Sequence, residues 1–322
     1  MYIDLLKNKL FEQETVYKAF KENKCNLICY KGYRHESDGL RDENYINRLR
    51  LSYYLLYKKI DDEEVVSYLF QEELKDRESS SFQGIGSTMQ VLTQLLRKYN
   101  TQSKYDSLFK RAKEANFDCA CGYDVNGVID DKIENNSLLD CIFLAWDLDY
   151  KDVMAEMVEE WKENVTDWNT DNYKTLIRFN SFLNKEEENE EIYKRLLLSV
   201  GRERVFNVAS AYKDIINYYI EIKNYKIAYK YLSQLLREYN LDEIKNIRLY
   251  AYFLEYGLEI MINDSSFRNL LWTWIKPELE NRKNMFGNLY IKGIAAAKTV
   301  DDPFAEKLEC EYISWKKRLE IK

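Results

Sequence analysis

Proline and glycine are scarce in this chain of 322 residues. It holds 2 prolines and 10 glycines, whereas average usage of about 5% and 7% would give roughly 39 such residues. Folds with many tight turns need chain breakers and positive φ angles at short intervals. The scarcity therefore excludes collagen-like, linker-rich and many-turned all-β proteins. Because the hydrophobic fraction of 46% also argues against intrinsic disorder, long α-helices are the structure that remains.

Histidine is nearly absent and cysteine is sparse. His35 is the single histidine, so multi-histidine metal sites are excluded. Any catalytic triad that contains a histidine would have to use His35. The six cysteines are too few for a secreted disulfide scaffold, and Cys119, Cys121 and Cys141 lack the C-x-x-C spacing of structural zinc sites. We predict no metal, no cofactor and no enzymatic activity. A hydrolase or nuclease that uses His35 and carboxylates is the alternative.

Long apolar runs are also missing. No segment approaches the ~18 consecutive apolar residues of a membrane helix, and the N-terminus lacks a basic region followed by an apolar stretch. Lys and Arg number 48 against 55 Asp and Glu, a net charge of −7, which opposes binding to nucleic acid or an anionic membrane and favours a basic partner. We expect a cytoplasmic protein with a basic protein or peptide partner, while the oligomeric state stays open.

Tyrosine is the residue type in marked excess. The chain has 27 Tyr, 14 Phe and 6 Trp, so that aromatic residues make up 15% of it. Each tyrosine carries a hydroxyl that needs water or a hydrogen-bond partner, which suits half-exposed helix faces. Tyrosine is also enriched at the energetic centres of protein interfaces. The excess therefore fits either wide helix–helix packing or a partner-binding groove.

The clearest internal unit runs from Ala211 to Asn240. Apolar residues at helical spacing fill residues 211–222, and Lys223 and Asn224 then interrupt the pattern. In the second half, four residues follow one another at spacings of three, four and three, which places them on one helix face: Tyr225, Ala228, Leu232 and Leu235. The pattern predicts two antiparallel helices that approach most closely at the small Ala228.

This unit resembles a tetratricopeptide repeat. That family places an aromatic residue in the first helix, then an aromatic residue, an alanine and a large apolar residue in the second. The four places are filled by Tyr219, Tyr225, Ala228 and Leu232. Lys223 stands where the glycine between the helices is usual, and Asn240 where the terminal proline is usual. The resemblance implies a protein- or peptide-binding module.

Helix breaks recur about 36 to 40 residues apart, within the range of helical repeats. They lie at residues 147–149, 184–188, 223–224, 263–266 and 299–303. We predict an all-α fold of antiparallel helical hairpins that form an α-solenoid. An N-terminal helical region would span 1–134 and a repeat array 135–322, or the two would form one continuous domain.

Two stretches lie outside the helical pattern, at residues 25–42 and 117–134. The second contains Asn126-Gly127 between β-branched residues, the strongest short-range signal for a β-hairpin. We therefore expect a small β-hairpin or loop insertion near 117–134.

These features together predict a non-enzymatic binding protein. Its specific form would be an immunity or antitoxin-like inhibitor of a basic toxin, because complementary charge gives fast and tight association. A peptide-responsive regulator is the alternative within the binding class. The predicted partner-binding residues are carboxylates near helix breaks and tyrosines of the repeats: Asp61, Asp62, Asp147, Asp149, Glu186, Glu187, Glu190, Tyr218, Tyr225 and Tyr252.

Overall fold

Helices account for most of the chain. The computed structural model describes residues 2–35, 39–79, 84–127, 137–201, 204–282 and 285–320. These residues form two units, Met1–Thr166 and Asp167–Lys322, each with its own dense set of internal contacts. The helices of residues 138–164 belong to the first unit, whereas the sequence predicts a repeat array that begins at residue 135.

The first unit contains nine of the described helices and both described strands. They are α1 (Tyr2–Leu10), α2 (Glu14–Lys21), β1 (Gly32–His35), β2 (Gly39–Asp42), α3 (Tyr45–Lys58), α4 (Glu63–Glu78), α5 (Ser87–Arg97), α6 (Asp106–Glu114), α7 (Phe117–Gly122), α8 (Leu138–Asp147) and α9 (Lys151–Asn164). Helix α1 packs on α3 and α8, α4 packs on α5, and α8 packs on α9. Leu6, Leu49 and Phe70 lie fully buried in this core.

The β-hairpin is present, but it lies in the earlier of the two non-helical stretches. Strands β1 and β2 pair antiparallel, with Tyr33 opposite Arg41. At the expected position near 117–134 the described residues instead form α7, because the Asn116 side chain caps that helix by accepting a hydrogen bond from the Cys119 N–H at 2.8 Å.

A turn follows α7, with the Gly127 N–H donating to the Asp124 carbonyl at 3.1 Å. Neither Asn126 nor Gly127 has the positive φ that a type I′ hairpin turn requires. Residues 128–136, the remainder of the expected insertion, lie outside the described residues.

The second unit is a series of helical hairpins. Its helices are α10 (Thr170–Phe182), α11 (Asn189–Val200), α12 (Val205–Glu221), α13 (Tyr225–Glu238), α14 (Leu241–Lys245), α15 (Tyr250–Asn263), α16 (Arg268–Glu280), α17 (Gly287–Thr299) and α18 (Phe304–Glu320). Four consecutive pairs pack together: α10 with α11, α12 with α13, α15 with α16 and α17 with α18. Short turns make such neighbours antiparallel. Helix α12 also packs on α11 and α15, and α15 packs on α17, so one core runs through the unit.

The five predicted helix breaks are confirmed as the turns inside the α8–α9, α10–α11, α12–α13, α15–α16 and α17–α18 hairpins. In the repeat at 211–240, Ala228 and Leu232 are fully buried and Tyr219 nearly so. Lys223, in the place of the usual glycine, has a φ of 58°. This left-handed conformation explains why glycine suits that place.

Candidate functional site

Two of the predicted carboxylates, Asp61 and Asp62, lie at the start of α4 and are engaged within the first unit. Asp62 caps the helix by accepting from the Val65 N–H at 3.3 Å. It also accepts a hydrogen bond of 2.7 Å from the Tyr17 hydroxyl and forms an ion pair of 2.9 Å with Lys21. The exposed Asp61 accepts a hydrogen bond from the Tyr99 hydroxyl. These contacts give both residues a structural role, and their role in partner binding stays a prediction.

Asp147 and Asp149 flank the turn between α8 and α9. Asp149 has a φ of 53°, and its carbonyl oxygen accepts a hydrogen bond of 2.8 Å from Arg50. Burial raises the pKa of the half-buried Asp147, although a hydrogen bond with the Ser87 hydroxyl acts in the opposite direction. The turn is therefore anchored to α3 through Arg50, which also lies 3.9 Å from the half-exposed Asp149 carboxylate.

The acidic run before α11 is more accessible. Glu186 and Glu187 lie in a 3₁₀ turn and are exposed. Glu190 forms an ion pair of 2.9 Å with Lys194, and hydrogen bonds from Lys194 and the Tyr219 hydroxyl lower its pKa.

The three predicted tyrosines of the second unit differ in exposure. Tyr218 on α12 is buried, with its ring centroid 5.3 Å from that of Tyr193. Tyr225 begins α13 and packs half-buried against the core. Tyr252 on α15 is 43% exposed, and the Lys213 Nζ lies 5.6 Å from its ring centroid.

The structure adds five residues to those predicted for partner binding. Asp214 and Glu221 lie on the same face of α12 as Tyr218, because they precede and follow it by four and three positions. Burial is the main cause of the raised pKa of both Tyr193 and Tyr256, and the negative charges of these two carboxylates raise it further. Glu255 on α15 acts on Tyr256 in the same way.

We call this set the tyrosine–carboxylate surface. It comprises Glu187, Glu190, Tyr193, Asp214, Tyr218, Glu221, Tyr252, Glu255 and Tyr256. The helical spacing of Asp214, Tyr218 and Glu221 could have indicated it from the sequence. The approach of α11, α12 and α15 is a tertiary feature that spacing alone does not predict.

A second polar arrangement lies inside the first unit. Arg48 is fully buried and donates to the Glu73 carboxylate from Nε at 3.2 Å and from Nη2 at 2.9 Å. Its Nη1 contacts Asp42 of β2. Arg77 lies 3.1 Å from Glu73 and also pairs with Asp76. We call these five residues the Arg48 cluster.

The Arg48 cluster joins the β-hairpin to α3 and α4 beside a cavity of about 690 Å³. Burial raises the pKa of Glu73 to about 7, although Arg77 and Arg48 oppose the shift. Since every charge of the cluster contacts an opposite one, its evident role is to fix the hairpin on the helices.

The residues that the sequence offers for catalysis or metal binding do not form a common site among the described residues. His35 ends β1, and its side chain lies outside the described residues. The six cysteines are free thiols, of which Cys119 and Cys141 are buried. In the described ranges, no three His, Cys, Asp or Glu side chains are grouped so as to hold a metal ion. None of the described helices is long and apolar enough to cross a membrane.

No family model, no curated protein and no solved structure matches the chain in the comparisons. The packed hairpins and their turns are therefore the features compatible with a helical repeat.

Proposed function

We propose that this protein is a non-enzymatic helical-repeat module that binds a basic protein or peptide through the tyrosine–carboxylate surface. The observation that carries the proposal is the composition of that surface, which has four carboxylates and four tyrosines on three packed helices and a fifth carboxylate, Glu187, in the turn before α11. Tyrosine supplies large, rigid contact area at interface centres, and the carboxylates supply charge complementarity for a cationic partner.

The repeats of the second unit support a tetratricopeptide-like identity in their turns and in the burial of Tyr219, Ala228 and Leu232. Modules of stacked helical hairpins commonly bind protein segments on an extended face. Within the binding class, we favour a cytoplasmic immunity or antitoxin-like inhibitor, because an inhibitor of a basic toxin needs complementary negative charge. A peptide-responsive regulator is the second form, and no feature of the described residues favours it over the first.

The test is reconstitution with a purified partner. The product of the neighbouring gene, or a defined protein that co-purifies from the source cells, is mixed with the full chain and the affinity is measured by calorimetry. We expect a basic partner whose affinity falls at least about tenfold in the Glu187→Lys, Glu221→Lys double variant, which reverses two exposed carboxylates of that surface. Glu280→Lys, an exposed reversal elsewhere in the same unit, is the control. An acidic partner, or equal affinity in all variants, would overturn the proposal.

A further inference from the structure

Three tyrosines of the second unit are buried but lack a protein partner for their hydroxyls. Tyr193, Tyr218 and Tyr256 are only 8%, 8% and 7% exposed. No hydrogen bond joins their hydroxyl oxygens to another described residue, and these oxygens are not among the fully buried ones. Some tyrosines elsewhere are paired, as Tyr17 is with Asp62 and Tyr123 with Thr93, whereas the unpaired hydroxyls of Tyr57, Tyr150 and Tyr250 are fully buried and closed to a ligand. Three hydroxyls that are open at one surface, on side chains held in place by burial, are therefore available to hydrogen-bond a polar ligand.

The charge around these hydroxyls is incompletely balanced within the described chain. Three of the five carboxylates of the surface have a lysine partner. These pairs are Glu190 with Lys194, Asp214 with Lys213 at 3.1 Å, and Glu255 with Lys292 at 2.9 Å. Glu187 and Glu221, in contrast, have no ion pair with any described residue, and the only hydrogen bond to Glu221 comes from the Asn217 amide at 2.6 Å. The surface therefore keeps an excess of negative charge.

Lys213 shows that the surface accepts a cation. Its ammonium group contacts Asp214 and also lies 5.6 Å from the ring centroid of Tyr252. A carboxylate beside an aromatic face is the environment that stabilises a cationic side chain. A similar combination recurs where Glu221 lies near enough to the Tyr193–Tyr218 ring pair for its charge to raise the pKa of Tyr193. The one lysine whose charge reaches Tyr218 there, among the described residues, is Lys194, and it is already paired with Glu190.

We infer that the region around Tyr193, Tyr218 and Glu221 binds an arginine side chain of the basic partner, an inference that rests on the proposed function. A guanidinium group carries five N–H donors in one plane and stacks on aromatic rings. The acceptors here are spread over two hydroxyls and a carboxylate beside the ring pair, which suits a planar group with several donors. A lysine ammonium would satisfy the charge but would use fewer of these acceptors and would be more strongly hydrated.

The experiment uses the full chain and three short fluorescein-labelled peptides, in which glycine alternates with arginine, lysine or glutamate. Binding is measured by fluorescence anisotropy. We expect the arginine peptide to bind about tenfold more tightly than the lysine peptide, the difference of roughly one charge-assisted hydrogen bond. The glutamate peptide should not bind.

Removal of the hydroxyls tests the site itself. The Tyr193→Phe, Tyr218→Phe double variant keeps both rings and should retain the helical circular dichroism spectrum, because these hydroxyls have no protein partner to lose. We expect it to bind the arginine peptide about tenfold more weakly, and Glu221→Gln to have a similar effect. Tyr290→Phe and Glu280→Gln, at a buried tyrosine and an exposed glutamate outside the surface, should bind like the wild type.

The outcomes separate this inference from the proposed function. Equal binding of the arginine and lysine peptides, or undiminished binding by the double variant, would overturn the arginine site. If the arginine peptide fails to bind while a purified basic partner binds, the arginine site is wrong and the proposed function stands. If neither peptide nor any basic partner binds, both are wrong.

Discussion

Within the described residues, six turns are closed by residues other than glycine in the left-handed conformation. They are Asn23, Lys59, Asp149, Asn184, Lys223 and Asp301. In each turn the next residue donates its N–H to a carbonyl five positions back, as Asn224 does to Tyr219 at 2.8 Å. This bond defines the Schellman motif, whose C′ position favours glycine. The protein therefore accepts local backbone strain at the points where its helices reverse direction.

Lys223 offers a direct test of that strain. The left-handed conformation costs a residue with a Cβ about 1–2 kcal/mol. Glycine avoids this cost, but its greater freedom in the unfolded chain offsets part of the gain in stability. We expect Lys223→Gly to raise the free energy of unfolding by about 0.5–1 kcal/mol in urea denaturation. Lys230→Gly, on the exposed face of α13, should lower it by about as much. A loss of stability in Lys223→Gly would contradict the turn geometry.

Glu73 makes stability depend on pH. Its pKa is about 7 in the folded protein, against an ordinary value of 4.5. Between these values the folded state holds a proton that the unfolded state has released, so stability should fall as pH rises from about 4.5 to about 7. Glu73→Gln should flatten the slope of unfolding free energy across this window, whereas Glu306→Gln at an exposed position should leave it unchanged. An equal slope in wild type and Glu73→Gln would assign the dependence to another group.

Arg48 should be the most sensitive single residue of the first unit. Its replacement by methionine leaves Glu73 and Asp42 buried without their shared cation, which typically costs about 3–5 kcal/mol. We expect a corresponding drop in the urea midpoint of Arg48→Met. Lys75→Met, at a half-exposed lysine of α4 that pairs with the buried Glu72, should cost less, because Glu72 keeps its hydrogen bond from the Tyr30 N–H. Similar losses in both variants would show that the Arg48 cluster does not hold the hairpin.

At the scale of the elements, the α12–α13 hairpin depends on a small residue at its contact. Ala228 is fully buried between helices that also bury Tyr219 and Leu232. A leucine there should overpack the contact and lower the free energy of unfolding by about 1–3 kcal/mol. Lys226→Leu, on the exposed face of α13, is the control. An unchanged melting temperature in Ala228→Leu would show that α12 and α13 do not approach closely at this residue.

For the whole molecule, the negative charge is unevenly distributed. The first unit holds 31 acidic and 23 basic residues, whereas the second holds 24 and 25. The net charge of −7 therefore belongs to the first unit, and the tyrosine–carboxylate surface is a local acidic patch on a nearly neutral unit. Long-range attraction of a basic partner and its final contacts would then arise from different residues.

This division predicts how salt affects binding of the basic partner. Exposed charges are screened over about 8 Å at 0.15 M ionic strength, so added salt should slow association and change dissociation less. Stopped-flow measurements should also show slower association for Asp61→Lys, an exposed reversal in the acidic first unit. An association rate independent of salt would rule out electrostatic steering.

The all-helical class, the hairpin turns and the core of the 211–240 repeat were determined by the sequence itself. Helical spacing and turn residues act over neighbouring positions, so Ala228, Leu232 and the break at Lys223 could be predicted locally. The hairpin was misplaced because Asn126-Gly127 signals a turn, whereas the Asn116 cap extends a helix into the same stretch. Local signals of this kind compete, and the wider packing decides between them.

The tertiary structure alone decided which polar groups meet. Asp62 and Asp149 look like free surface charges in the sequence, yet one caps α4 and the other closes a turn held by Arg50. Arg48 and Glu73 are 25 positions apart and become partners only when α3 and α4 pack. Tyr193 likewise meets Tyr218 only because α11 packs on α12. Such pairings depend on how helices dock, which periodicity along one helix does not specify.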